Sequence, residues 1–250
     1  MKIRLSCANC YKRDSPATQG SYRYAPLQED PLYEFKCSLC GENTTILVMQ
    51  RRFEVLFDIA VTAFVDGYPR EGVSSASSSL ERFYEFVIRV ITRKNGIPQS
   101  HLSELWKLVS NQSERQLGAF IFLWSIFIKT PPPILDRKKV ELRNKVVHKG
   151  RIPTDSEAQG YICHVFKLLR RGIIELKRSE FNSDINREID GEWKDAIEQS
   201  KRLKGEIAQR SLIVTTFNLV NSADLIEALD FQEELEGFRR WNSVVRSHDV

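Results

Sequence analysis

Three side chains near the middle of the chain have the types and spacing for acid–base chemistry on an anion. They are Arg143, Asn144 and His148, in the run Arg-Asn-Lys-Val-Val-His. An arginine is a permanent cation and a histidine titrates near neutral pH, and a phosphodiester cleavage needs both kinds of group. Val140, Arg143, Asn144 and Val147 follow the i, i+3, i+4, i+7 spacing of one helix face. Arg143 is therefore expected among inward-facing valines, where a charge is costly unless it has a partner or a ligand. On a continuous helix His148 lies about 140° around the axis from Arg143, at roughly 100° per residue. Gly150 predicts a helix stop, and a chain turning there would swing the imidazole back beside the guanidinium.

A second set of residues has metal-ligand spacing. Cys7-Ala-Asn-Cys10 and Cys37-Ser-Leu-Cys40-Gly41 form two C-x-x-C knuckles. Each pair can grip one metal ion, and four thiolates complete a tetrahedral zinc site with no open coordination position, which is structural rather than catalytic. Redox use of either pair is the rival reading, and disulfides are disfavoured in a reducing cytosol. Ser21 to Tyr24 and Leu32 to Lys36 read as the strands of a hairpin between the knuckles, and Thr44 to Val48 as a third strand. Residues 1–48 thus resemble a zinc ribbon. Lys12 and Arg13, with Tyr11, Tyr22 and Tyr24 nearby, either hold single-stranded nucleic acid or, for the tyrosines, supply the module's small core. Cys163 reads as a buried small hydrophobe on an apolar helix.

An arginine, a polar residue, three further residues and a histidine resemble the R-x4-6-H motif of the HEPN superfamily. The resemblance covers residues 51 to 179. It implies a compact helical bundle and a metal-independent endoribonuclease acting as a homodimer, with two motifs facing each other across a cleft. On the matching positions, Arg143 would hold the scissile phosphate. His148 would be general base on the ribose 2′-hydroxyl or acid to the leaving oxygen, and Asn144 would position one of them. Activity of this kind often belongs to toxins or anti-phage defence effectors. Some HEPN-like bundles are non-catalytic, so a zinc-ribbon and HEPN module that binds nucleic acid or protein is the alternative.

The helical pattern supports a bundle over residues 49–179, giving a mainly α protein with a small β module before it and a mostly helical segment, residues 180–250, after it. Met49 to Val65 has helical apolar spacing and ends at Gly67 and Pro69. Ser74 to Ser79 is either a loop or a polar first turn of the next helix, which closes at Asn95-Gly96. A shorter helix follows from about Ser100. Ser113 to Gln116 matches a capping box and opens the very apolar Leu117 to Ile128, expected at the bundle centre. The motif helix runs from about Leu135 to Val147, and Thr154 to Glu157 is a second capping box. Glu81 and Glu85 share a helix face and are either surface carboxylates or orienting groups for Arg143 or His148. His164 is either a satisfied core histidine or part of a cleft, and Lys167, Arg170 and Arg171 would extend an anion-binding surface.

Charge is unevenly spread. Residues 51–179 hold twenty-two basic and thirteen acidic groups, whereas residues 180–250 hold nine and fifteen. Residues 137–151 alone carry seven basic groups against Glu141. That favours a polyanionic partner, RNA, with Lys138, Lys139, Lys145, Lys149 and Arg151 as its contacts, against the alternative of a solvated basic face. The acidic end suits a basic neighbour or a protein partner. It reads as a polar linker over Glu180 to Asp190, a charged helix from Trp193 to Ile207, a strand or buried helix at Ser211 to Val220, and a final helix opened by Ser222. The longest apolar run is too short to span a bilayer, and the N-terminus lacks a signal-peptide core, so a cytoplasmic protein without a membrane partner is expected.

Overall fold

The computed structural model describes residues 2–7, 9–10, 22–28, 30–48, 50–189, 198, 209–211, 215–218 and 221–247. The protein is mainly helical, with a small N-terminal β region and a helical C-terminal segment. It divides into two compact units, Met1–Arg51 with Ile189–Val214, and Arg52–Glu188 with Thr215–Val250. Residues 180–250 are therefore shared between both units. The helix expected over Trp193 to Ile207, and Tyr11, Lys12 and Arg13, lie outside the described residues apart from residue 198.

In the first unit, β1 (Lys2–Ser6) pairs antiparallel with β2 (Tyr22–Pro26), and β3 (Leu32–Lys36) pairs antiparallel with β4 (Asn43–Val48). The hairpin expected between the second and third strands does not form. Each knuckle instead follows the first strand of its own pair, so a metal held by both knuckles would also hold the ends of β1 and β3. β1 escaped the sequence reading, although Ile3 and Leu5 alternate with polar neighbours and are both buried. A short strand, β5 (Gln209–Ser211), adds parallel to β4, with Ile46 opposite Gln209. Of the stretch Ser211 to Val220, Ser211 ends this strand, residues 215–218 are neither strand nor helix, and the rest lies outside the described residues.

In the second unit, α1 (Arg52–Val65), α2 (Pro69–Lys94), α3 (Gln99–Val109), α4 (Ser113–Phe127), α5 (Arg137–Lys149) and α6 (Asp155–Arg178) form the bundle. The serine-rich stretch is neither a loop nor a first turn: it lies inside α2, which begins at Pro69. Small side chains there let α1 and α2 approach closely. A Cβ on Gly72 would stand 3.1 Å from the Ala60 carbonyl oxygen, and the buried Ser79 hydroxyl donates to the Phe53 carbonyl at 2.6 Å. Consequently α2, not α4, is the centre, packing against α1, α3, α4, α5 and α6. On α4 only Gln116, Phe120 and Trp124 are buried, while Phe122 and Ile126 are 72% and 57% exposed. A run apolar on all sides says nothing about which face is covered.

The helix ends divide the capping predictions. Thr154 and Glu157 make both halves of a capping box. At α4 the N-cap is Gln112 without a side-chain bond, and the Gln116 amide instead donates to the Ser110 carbonyl at 2.8 Å. The expected linker after Glu180 is helical over residues 182–189, with Phe181 and Ile185 buried and Glu188 paired to Arg93 at 2.7 Å. The final helix is two: α7 (Ala223–Glu227), capped by Ser222, and α8 (Phe231–Ser247). Thr216 of the preceding segment donates its backbone N–H to the fully buried Asp58 at 3.2 Å. Burial pushes that carboxyl up to about 8, against the Thr216 bonds and with help from the Glu54 and Glu234 charges.

One glycine sets how closely α2 and α6 pack. A Cβ on Gly172 would stand 2.7 and 2.8 Å from two ring carbons of Phe83 and 3.1 Å from Pro133 Cγ. The Phe83 ring is fully buried, with the Phe53 ring centre 5.4 Å away, and has no space to yield. Gly172→Ala is expected to destabilise the bundle by about 1–3 kcal/mol through overpacking. That outweighs the roughly 1 kcal/mol that alanine gains in helix propensity. Urea unfolding measures it; an unchanged or raised midpoint would mean that the ring can move.

Candidate active site and candidate metal centre

The motif helix α5 is fixed at both ends. Asp136 caps it, accepting from the Lys139 backbone at 2.9 Å, and Gly150 closes it with φ 66°, a left-handed conformation that glycine adopts without strain. The inward face centres on Val146, which is fully buried, whereas Val140 is 39% exposed. Arg143, one turn before Val146, keeps the inward position that the spacing implied.

The Arg143 side chain is 16% exposed and has partners on two helices. Its Nε donates to Ser77 Oγ at 3.1 Å, and one terminal nitrogen donates to Glu81 Oε1 at 2.5 Å, both on α2. The other terminal nitrogen lies 3.0 Å from Asn144 Oδ1 and 3.1 Å from His148 Nε2. A guanidinium has donors only, so Nε2 accepts, which puts the imidazole proton on Nδ1. No turn of the chain is needed for this contact. His148 is still helical in the last turn of α5, and the long arginine side chain bridges the angle between them. The imidazole itself is exposed.

Behind this cluster stands Tyr161 of α6, whose buried hydroxyl has no hydrogen-bond partner among the described residues. Burial pushes it up to about 12, against the pull of Ser77 and Arg143 and with the Glu81 charge adding to the rise. Beside it lies a cleft of about 170 Å³ lined by Arg143, Asn144, Ser77, Glu81 and apolar side chains of α2, α4 and α5.

Of the two carboxylates that share a face of α2, Glu81 holds Arg143, while Glu85 pairs with Arg82 at 2.6 Å and Arg89 at 2.8 Å. Ser77 and Tyr161 were missed. The signal for Ser77 was its i, i+4 relation to Glu81 within a helix that the serines had obscured. His164 stands apart, with Nε2 3.8 Å from Asp136, and burial lowers it against the pull of that carboxylate. Arg170 and Arg171 donate to the Glu227 and Pro131 carbonyls and do not extend the site. Around the helix, Lys138, Lys145 and Lys149 lie roughly opposite Arg143, on the exposed face. Lys139 is half-buried, and Arg151 pairs with Glu157 at 2.7 Å.

The four knuckle cysteines come together in the first unit. Their sulfurs all lie within 4.8 Å of one another, and Cys7, Cys10 and Cys37 are buried. Cys7 lies 3.7 Å from Cys40 and Cys10 lies 3.8 Å from Cys37. A disulfide requires about 2 Å. Four sulfurs about 2.3 Å from a tetrahedral ion stand about 3.8 Å apart, so the arrangement fits a bound metal. Burial raises the Cys37 thiol, but the Cys40 and Leu39 backbone N–H groups and the Cys7 and Cys10 thiols outweigh it and bring Cys37 down to about 7. Gly41, at φ 73°, returns its N–H to the Cys37 carbonyl at 3.0 Å and closes the second knuckle. Cys163 is half-buried rather than buried.

The fold and site describe a mainly helical protein with a polar Arg–His cluster and a four-cysteine candidate metal centre. No helix among the described residues is long and apolar enough to cross a membrane. Comparison of the chain with family models, curated proteins and solved structures found no match.

Proposed function

We propose that the chain is a metal-independent endoribonuclease of HEPN type, carrying a structural zinc ribbon and working in the cytoplasm as a homodimer. The observation that carries this reading is the hydrogen-bonded set of Arg143, Asn144 and His148, oriented by Glu81 and Ser77. Arg143 neutralises the non-bridging oxygens of the scissile phosphate. His148 Nε2 removes the proton of the neighbouring 2′-hydroxyl, whose oxygen attacks phosphorus. The 5′-oxygen leaves with a proton taken from solvent, giving a 2′,3′-cyclic phosphate and a 5′-hydroxyl, and the protonated His148 returns its proton to solvent. The 2′-hydroxyl is tethered beside the phosphate, which supplies much of the rate without a metal. Binding has an order, because Nε2 accepts from Arg143 at rest. Phosphate must draw that donor away before Nε2 is free to take a proton. Among the described residues the only grouping of His, Cys, Asp and Glu able to hold a metal is the cysteine set, and its soft tetrahedral thiolates suit zinc. Toxin or anti-phage defence work is the setting that such cleavage fits.

Incubation of a labelled RNA with wild-type and His148→Ala proteins tests the reading: cleavage by the first alone supports it. The second reading is a nucleic-acid- or protein-binding module, favoured by the fact that four of the Arg143 donors already have partners within the protein. RNA bound but never cut would select it.

As a ribonuclease or as a nucleic-acid-binding module, the protein is expected to bind RNA with an affinity that falls steeply with salt. For a single strand, the log–log slope changes by about 0.7 for each phosphate contact. Replacing Lys138, Lys145 and Lys149 with glutamine is expected to flatten that slope, read by fluorescence anisotropy across a salt series. An unchanged slope would move the contact surface elsewhere.

A further inference from the structure

We propose that the cleft beside Arg143 is a recognition pocket for one cytosine base of the RNA, an assignment that rests on the ribonuclease reading. The first argument is size. The cleft measures about 170 Å³, and an apolar cavity on the order of 150 Å³ holds one benzene ring. One six-membered ring fills it, and a fused purine would have to project from its open side.

The second argument is the lining. Leu80, Leu117 and Ile134 offer apolar surface to the faces of a flat base. Tyr84 is a fixed wall: its hydroxyl donates to the Pro133 carbonyl at 3.1 Å and its ring stacks on Phe120 with centres 4.2 Å apart. The pocket therefore has its shape before a ligand arrives, and little ordering cost remains for binding.

The third argument is the placement of charge. Arg143 and Asn144 form part of the lining, so a base in the cleft brings its own phosphate to the guanidinium. Glu114, exposed in the first turn of α4, is also part of the lining, with one carboxylate oxygen 3.4 Å from the Ser113 hydroxyl and the other open to a ligand. A carboxylate accepts a hydrogen bond from the N4 amino group of cytosine. Uracil has a carbonyl oxygen at that position and would set acceptor against acceptor. Gln116 cannot replace Glu114 in this role, because its amide is taken up by Ser110 and Arg82.

The test is equilibrium binding of cytidine, uridine and adenosine 3′-monophosphates to the full chain, beside mapping of the cut sites in a mixed-sequence RNA. Cytidine monophosphate is expected to bind about tenfold more tightly than the other two. Glu114→Gln should bring cytidine and uridine nucleotides close to equal affinity. Leu117→Trp, checked for unchanged helical content, should fill the cleft, weaken the cytidine nucleotide by at least about tenfold and scatter the cut sites. Equal binding of the three nucleotides, no binding of any, or a cut pattern unchanged by Leu117→Trp overturns the pocket and leaves the ribonuclease reading standing. Selective cytidine binding with no RNA cut overturns the ribonuclease reading and keeps the pocket.

Discussion

His148→Ala protein is expected to lose RNA cleavage by about 10²–10⁴-fold, the usual contribution of a positioned general acid or base, while melting at the wild-type temperature. The imidazole is exposed at the end of α5, so removing it opens no cavity. Arg143→Ala should lose as much activity and also destabilise the bundle. It would leave Glu81 and Ser77 without their Arg143 contacts on α2, and a partly buried polar group left unpaired costs about 1–3 kcal/mol. Arg143→Lys separates the two effects, because it keeps the charge but loses the fork that reaches Ser77, Glu81 and Asn144 together. Cleavage should continue in EDTA applied briefly enough to leave the ribbon metal bound, and should stop where a 2′-deoxy nucleotide replaces the attacking residue. Persistent cleavage at the deoxy position, or dependence on free magnesium, would overturn the mechanism. Wild-type and His148→Ala proteins equally inert on every RNA would favour the binding reading.

The second large effect is expected at the cysteines. The purified, reduced protein should contain one zinc ion per chain, and Cys37→Ser or prolonged chelation should remove it and unfold the first unit. The described core there is small, chiefly Ile3, Leu5, Leu32, Phe35, Ile46 and Leu47. Structural zinc contributes on the order of 10–16 kcal/mol to small domains, more than such a core can replace. The bundle has its own core around α2, so the helical circular dichroism signal should survive while the first unit becomes open to protease. Elemental analysis finding no metal in a folded, reduced sample would refute the assignment. Iron in place of zinc would keep the site and change its ion.

Short-range spacing had already picked out the residues of both candidate sites. The two knuckles named Cys7, Cys10, Cys37 and Cys40 because a C-x-x-C turn brings two sulfurs together whatever surrounds it. Arg143, Asn144 and His148 were legible because they fall within one and a half turns of a helix that Asp136 and Gly150 delimit. The Thr154 cap was legible for the same reason: its partner Glu157 is three residues away. The mainly helical class followed from periodicity summed over many residues.

Only the tertiary structure decided which groups complete each site. Ser77 and Glu81 stand 66 and 62 residues from Arg143 in the chain, and no local pattern says which helix faces which. The strand pairing was misassigned for the same reason, since the alternation in Leu32 to Lys36 fits equally well against the strand before it, where the hairpin was expected, or the one after, where it forms. The apolar α4 was misread as the centre because hydrophobicity measures the gain from burial, not whether a partner is there to provide it. The serines of α2 were read as a loop or a first turn rather than as helix interior, because close packing against α1 rewards the small side chains that lower helix propensity in isolation.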